Sequence, residues 1–221
     1  MKLEFISLFP RVFDAYFGES IVGRAITKGL LTVCAHDLRK WARGPHRKVD
    51  DRPYGGGPGM VMMVEPFLRA LEAIKKSTRS PKLRRSTRVI LLAASGTQFT
   101  HRDAVRLAKY ERLIFLCPRY EGVDARVDEF VDERVSIGPY VVTGGELPAM
   151  VIADAVVRHL PGVLGKAASL AQESHASPGL TEYPQYTRPE EYNGKKVPAV
   201  LLSGDHARIA AWRKKRMRKA K

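Results

Sequence analysis

Val89-Ile90-Leu91-Leu92-Ala93-Ala94 is an unbroken apolar run. With no polar alternation, it predicts a strand covered on both faces. Leu113-Ile114-Phe115-Leu116-Cys117 repeats the pattern and predicts a second buried strand. Between the two, Thr100 and Asp103 have the spacing of a capping box and open a helix reaching Lys109. Upstream, residues 3–9 read as a first strand, 11–17 and 20–28 as short helices, and 30–36 as a strand. Residues 65–76 place Phe67, Leu68, Leu71 and Ile74 at helical spacing, and a further helix over 146–159 stops at Pro161-Gly162. On that helix Met150, Val151, Ala155 and Val156 are expected in the core. Strands alternating with helices predict an α/β fold with a parallel sheet.

The chain has 221 residues, 44% of them hydrophobic, which suits one large domain with a small appendage. The first ten residues lack the apolar run of a leader, and no window has the length of a membrane span, so a cytoplasmic protein without membrane attachment is expected. Cys34 and Cys117 have no partners at metal-ligand spacing and are expected reduced and buried, with no metal site. His46, His101, His159, His175 and His206 are expected on the surface or in supporting positions. The pattern changes beyond Gly165: 1–165 is expected as the main domain, 166–181 as a flexible linker, and 182–221 as a small C-terminal domain. There Asp205 is placed to cap a final helix.

The net charge of +15 is unevenly placed. Residues 75–88 carry seven bases and no acid, and residues 213–221 carry seven more, again with no acid. Elsewhere bases and acids nearly balance. One basic loop and one basic tail predict a polyanionic partner gripped at two places, which favours nucleic acid.

The run Asp50-Asp51-Arg52-Pro53-Tyr54-Gly55-Gly56-Gly57-Pro58-Gly59-Met60 excludes helix and central strand, and allows close approach of backbone to a ligand or a second chain. No phosphate-binding loop, dinucleotide fingerprint or nucleophile elbow occurs. Three loops at the ends of apolar strands remain: 93–97, 118–122 and 136–145. In an open α/β sheet such loops surround a ligand beyond the carboxyl ends of the strands. Their backbone groups could read a purine edge.

Several segments occur in a fixed order: 50–60; Arg119-Tyr120-Glu121-Gly122-Val123-Asp124; Ser136-Ile137-Gly138; Gly144-Gly145-Glu146-Leu147-Pro148-Ala149-Met150; Pro161-Gly162-Val163-Leu164-Gly165; Tyr186-Thr187-Arg188-Pro189; and Leu201-Leu202-Ser203-Gly204-Asp205-His206. Together they resemble the bacterial tRNA (guanine-N1)-methyltransferase family of the knotted SPOUT class. The resemblance implies a SPOUT-type parallel sheet with a trefoil knot toward its C-terminal half, followed by a small, mainly helical domain that contacts tRNA. It implies S-adenosylmethionine held by Leu91, Leu92, Pro118, Ile137, Gly138, Pro139, Tyr140, Val141, Val142, Gly144 and Gly145. It implies a homodimer with active sites drawn from both subunits, and methyl transfer to N1 of guanosine 37 in the tRNA anticodon loop. By the same resemblance Glu173 is the general base, Arg158 steadies the guanine O6, and Asp50, Arg52, Tyr120, Glu121 and Arg188 contact the substrate. The glycine run would then pack across the dimer interface, with Asp50, Asp51 and Arg52 facing the target guanine.

Glu173 stands where the family usually has Asp, Pro118 where Gly is usual and Pro139 where Asp is usual. The chain also ends at Lys221, where the family generally continues. Each proline removes a backbone donor beside the cofactor. The alternative is therefore a non-enzymatic RNA-binding protein on the same scaffold, with an impaired cofactor pocket.

Overall fold

The structure is a computed structural model, and it describes residues 1–77, 81–165, 173–175 and 180–219. The linker expected over 166–181 lies largely outside these residues, as do Arg79 and Lys221 of the two basic segments. The chain forms two compact units, Met1–Gly165 and Lys166–Lys221.

The first unit begins with β1 (Lys2–Ser7), α1 (Val12–Phe17), α2 (Ser20–Thr27) and β2 (Thr32–Asp37). A 3-10 turn (Leu38–Trp41) leads to a two-residue hairpin of β3 (Asp50–Asp51) and β4 (Val61–Met62). Then follow α3 (Val64–Lys76), α4 (Pro81–Arg85), β5 (Thr87–Gln98), α5 (His101–Leu107) and β6 (Arg112–Leu116). A second 3-10 turn (Ala125–Phe130), β7 (Glu133–Ser136) and α6 (Glu146–Val157) complete it. The five long strands form one parallel sheet in the order β2-β1-β6-β5-β7.

The apolar runs become two-faced strands because successive side chains alternate across the sheet. Leu3 and Phe5, Ile90 and Leu92, and Leu113 and Phe115 face one layer with Phe13, Phe17 and the inner side of α6. Ile6, Val89, Leu91, Ile114 and Leu116 face the other, against Phe67, Leu71 and Ile74 of α3. The register Phe5↔Phe115 lines up an aromatic stack, with Phe5 centred 5.1 Å from Phe115 and 4.3 Å from Phe13. The Asp103 carboxylate accepts the Thr100 backbone N–H at 3.0 Å and its hydroxyl at 2.7 Å, closing the start of α5 as the spacing requires.

Some expectations change. The basic segment 75–88 is not a loop: it spans the end of α3, all of α4 and the start of β5. Its Arg88 donates to Glu133 at 2.9 Å and lies 3.5 Å from Asp132, so this base is spent on holding β5 to β7. Cys117 is fully buried, and burial pushes its thiol up, but Cys34 is only half-buried because β2 is an edge strand. Val151 is 52% exposed, not core, because α6 is apolar on more sides than the sheet can cover. β7 buries only Val135 and Ser136, so its sequence carries no apolar run that marks a strand.

The second unit carries β8 (Leu180–Thr181), paired with β11 (Arg218–Lys219), and a hairpin of β9 (Glu191–Tyr192) and β10 (Lys195–Lys196). Between hairpin and β11 lie α7 (Ala199–Leu202) and α8 (His206–Arg216). Asp205 caps α8 by accepting the Arg208 backbone N–H at 3.0 Å. Among the described residues, no helix is long and apolar enough to cross a membrane.

Glu4 and Arg112, each 1% exposed, form a 2.5 Å ion pair inside the sheet. Lys2 and His36 reach the same carboxylate at 2.6 and 2.8 Å. Burial alone would raise the Glu4 carboxyl, but the His36 and Lys2 hydrogen bonds and the Arg112 charge outweigh it and hold it at about 2. Because the folded value lies below the ordinary 4.5, this stabilisation is present above pH 4.5 and is lost as pH falls toward 2. Glu4→Gln should lower the unfolding free energy at pH 7 by about 3 kcal/mol and flatten the acid limb of the stability profile between those values. Denaturant titrations over a pH series check this; parallel profiles for both proteins would overturn it.

Candidate functional site

The loops at the carboxyl ends of β5, β6 and β7 border one cavity of about 330 Å³. β6 and β5 are interior strands and β7 is the edge beside β5, so the floor is sheet while the rim is loop. β5 contributes through an irregularity: both Leu92 and Thr97 pair with Val135, so residues 93–96 bulge from the ladder. Ala93, Ala94 and Ser95 of this bulge line the cavity beside Leu91 and Leu92. From the other strands come Pro118 to Val123, Arg134 to Ile137 and Tyr140 to Gly145.

Most residues singled out for a cofactor therefore meet. Leu91, Leu92, Pro118, Ile137, Tyr140, Val141, Val142, Gly144 and Gly145 all line this cavity. Gly138 and Pro139 belong to the same loop without lining it. The Tyr140 N–H donates to the Gly138 carbonyl at 2.9 Å, folding the chain tightly around Pro139. Pro118 lines the cavity, and its carbonyl accepts the Gly145 N–H at 2.7 Å. That bond and the Arg119–Gly144 bridge tie the β6 loop to the start of α6.

Of the residues assigned to substrate, Tyr120 and Glu121 line the cavity rim. Asp50 sits in β3 and Arg52 just beyond it, outside the lining. Lys48 and the Arg52 backbone N–H hold the neighbouring Asp51 carboxyl below its ordinary range. The glycine run is nevertheless tied to the cavity within its own chain. The Glu121 N–H donates to the Met60 carbonyl at 3.0 Å, and the Met62 N–H to the Gly122 carbonyl at 2.9 Å. Gly59 lies so close to Glu121 that a Cβ there would stand 2.6 Å from its Oε1. Farther along, Tyr54 is wholly exposed.

Arg158 is the C-terminal cap of α6, whose N-terminal end forms the cavity wall. At 1.5 Å per residue the helix puts the two ends ~18 Å apart. Glu173, half-buried, and Arg188 belong to the second unit.

One functional group escaped the sequence reading. Glu146, 2% exposed, accepts the Ser7 hydroxyl at 2.6 Å and Arg119 Nε at 3.2 Å. The Arg119 guanidinium then lies over the Phe9 ring, 4.4 Å from its centroid. A Cβ on Gly144 would meet Glu146 Oε2 at 2.6 Å and Arg119 Nε at 2.8 Å, which explains a glycine at this point. Only the Gly-Gly-Glu at a helix start hinted at it; the partners Ser7 and Phe9 are remote in sequence.

Apolar walls from leucine, isoleucine and valine, backbone-rich loops, and the charged Arg119, Glu121 and Arg134 suit a ligand with a flat apolar ring and a charged tail. Fold and cavity thus define an α/β protein with a cavity of small-molecule size at the carboxyl edge of a parallel sheet. The family model described as tRNA (Guanine-1)-methyltransferase TrmD matches residues 1–221. A protein of Geobacter sulfurreducens named tRNA (guanine-N(1)-)-methyltransferase is 51% identical over 217 residues, covering 98% of this chain and 86% of the relative. Proteins of the same name from Ruminiclostridium cellulolyticum and Shouchella clausii are 50% and 49% identical, covering 96% of this chain and 89% and 85% of theirs. The chain belongs to the tRNA (guanine-1)-methyltransferase family and is a methyltransferase. The non-enzymatic alternative gains no support from these relatives.

Glu146→Ala leaves the Ser7 hydroxyl and the Arg119 guanidinium without their shared acceptor. It should lower the unfolding free energy by about 2–4 kcal/mol, with Glu146→Gln costing about half as much. Chemical denaturation of the three proteins checks this order; equal stabilities would refute it.

Proposed function

We propose that the protein transfers a methyl group from S-adenosylmethionine to N1 of guanosine 37 in the tRNA anticodon loop. The observation that carries the reading is the cavity beyond β5, β6 and β7, which gathers nine of the residues the family resemblance assigns to the cofactor. Leu91, Leu92, Ile137, Val141 and Val142 would flank the adenine, and Gly144 and Gly145 would let backbone approach it. Arg119 and Arg134 would meet the carboxylate of the amino-acid tail. When bound, the cofactor supplies an electrophilic methyl group. Pro118 and Pro139 are compatible with this: one lines the cavity, and the other lies in the bordering loop outside the lining.

N1 of guanine carries a proton at neutral pH, so a base must remove it. Glu173 is the proposed base. As the proton leaves, negative charge moves to O6, where the Arg158 guanidinium would hold it. Tyr120 and Glu121 at the rim, with Asp50, Arg52 and Arg188, would position the RNA. Lys75, Lys76 and Arg85, with Arg213 to Arg216 of α8, would meet its phosphates.

The site proposed here needs two chains. Arg158 lies ~18 Å from the cavity wall along α6 of its own chain, too far to share a substrate with it. Leu147 and Val151, 56% and 52% exposed, lie on the same helical face as Arg158, eleven and seven residues before it. Val141, Phe9, Val12 and Tyr16 add exposed apolar surface in the same unit. A homodimer that covers this stripe would carry the Arg158 of one chain toward the cavity of the other. The trefoil knot implied by the resemblance fits the ties between residues 118–119 and 144–145.

Unmodified tRNA with guanosine at 37 should accept methyl, and the same tRNA with another base there should not; absence of transfer to the former would sink the proposal. Glu173→Ala and Arg158→Ala should each lower kcat by at least 100-fold while calorimetric titration of the cofactor is unchanged. Full turnover in either variant would remove that residue from its role. A mixture of Arg158→Ala chains with cavity-blocked Gly144→Leu chains should recover activity that neither has alone, whereas no recovery would refute the composite site.

A further inference from the structure

The C-terminal unit holds a second hollow, about 440 Å³, walled by Tyr183, Tyr186 and Trp212 with Arg188 and Arg213. Aromatic and guanidinium groups meet here at stacking distances. The Arg213 guanidinium lies 5.0 Å from the Tyr183 ring centroid, and that of Arg216 lies 5.6 Å from Trp212. Tyr186 and Trp212 stand 6.3 Å apart at 59°, a wide, tilted arrangement in which the rings do not lie face to face.

Were this merely a small core, its members would be covered. Among the described residues of this unit none is buried, and Tyr186 is 49% exposed. The last turn of α8 carries Arg213, Lys214, Lys215 and Arg216, more positive charge than the helix terminus calls for. Compensating a helix dipole also requires no aromatic rings. Half-open aromatics interleaved with arginines beside a run of lysines suit a ligand with flat faces and negative charge, which is a nucleotide. A base within a duplex has both faces occupied by its neighbours, so the occupant must come from a loop, bulge or end. The hollow has room for one such base and its sugar.

We propose that the hollow between Tyr183, Tyr186 and Trp212 holds one unstacked nucleobase of the RNA substrate, different from the base that is methylated. The proposal rests on the reading that the enzyme acts on tRNA. Stacking supplies the affinity, Arg188 and Arg213 meet the adjoining phosphates, and the lysines of α8 add contacts that carry no sequence information.

The test uses the full chain and tRNAs that each lack one base outside position 37, with binding measured between 50 and 200 mM salt as about the useful range. One abasic position should weaken binding roughly tenfold, and the same loss should appear on intact tRNA in Trp212→Leu and, more mildly, in Tyr186→Leu. Combining Trp212→Leu with that abasic tRNA should cost no more than either alone. The slope of log affinity against log salt should be unchanged in Trp212→Leu and smaller in Lys214→Gln. If no abasic position matters, or the two losses add in full, the proposal falls, whatever the variants do to folding. Unaltered tRNA binding by Trp212→Leu would overturn it in favour of a protein or peptide occupant. Failure of the methyl-transfer reading is separate: it appears as wild-type enzyme that transfers no methyl to any tRNA.

Discussion

The Glu146 carboxylate is the point on which the site's geometry depends. Buried at the start of α6, it takes a hydrogen bond from Ser7 at the end of β1 and an ion pair from Arg119 after β6. Three segments far apart in sequence are thereby fixed at one corner of the cavity. Both oxygens are occupied, which is the condition under which a buried carboxylate is tolerated at all. Arg119 is in turn stacked on Phe9, and the Arg119 N–H points at Met62 Sδ at 3.0 Å, so the exit of the glycine run joins the same corner. Gly144 has no side chain because the space where one would go is filled by this pair.

The sheet was legible because its information is local. The runs at Val89 and Leu113 have no polar residue to point outward, so they could only be interior strands, and Thr100 with Asp103 wrote the start of α5 into a three-residue spacing. The meeting of the loops after β5, β6 and β7 followed from the general rule for parallel sheets. What the chain did not disclose depends on long-range pairing. Glu146 with Ser7 joins residues 139 positions apart, and no periodicity connects them. The charges of Arg88 and Arg106 look available for nucleic acid until Glu133 is seen to accept from both. Val151 reads as core because apolar character alone cannot tell a helix face turned inward from one left exposed.

The two units divide the physical work differently. The first is a close-packed α/β layer structure whose strands supply rigidity and whose loops supply the cavity. The second, among its described residues, buries nothing fully and presents aromatic and basic groups instead. A unit of that kind has little stability to contribute by burial. Its exposed aromatic and basic groups are those that the proposed RNA contacts would use.

The bulge of residues 93–96 has a thermodynamic consequence. Between Leu92 and Thr97 the β5–β7 ladder is interrupted, and this is the stretch that borders the cavity. A ligand seated there would make contacts where the ladder makes none. Its binding energy would therefore be felt as folding energy: a hundredfold excess over the dissociation constant adds about 2.7 kcal/mol to a native state that alone recognises it. Cellular supply of the ligand would then set how long the protein survives as well as how fast it works.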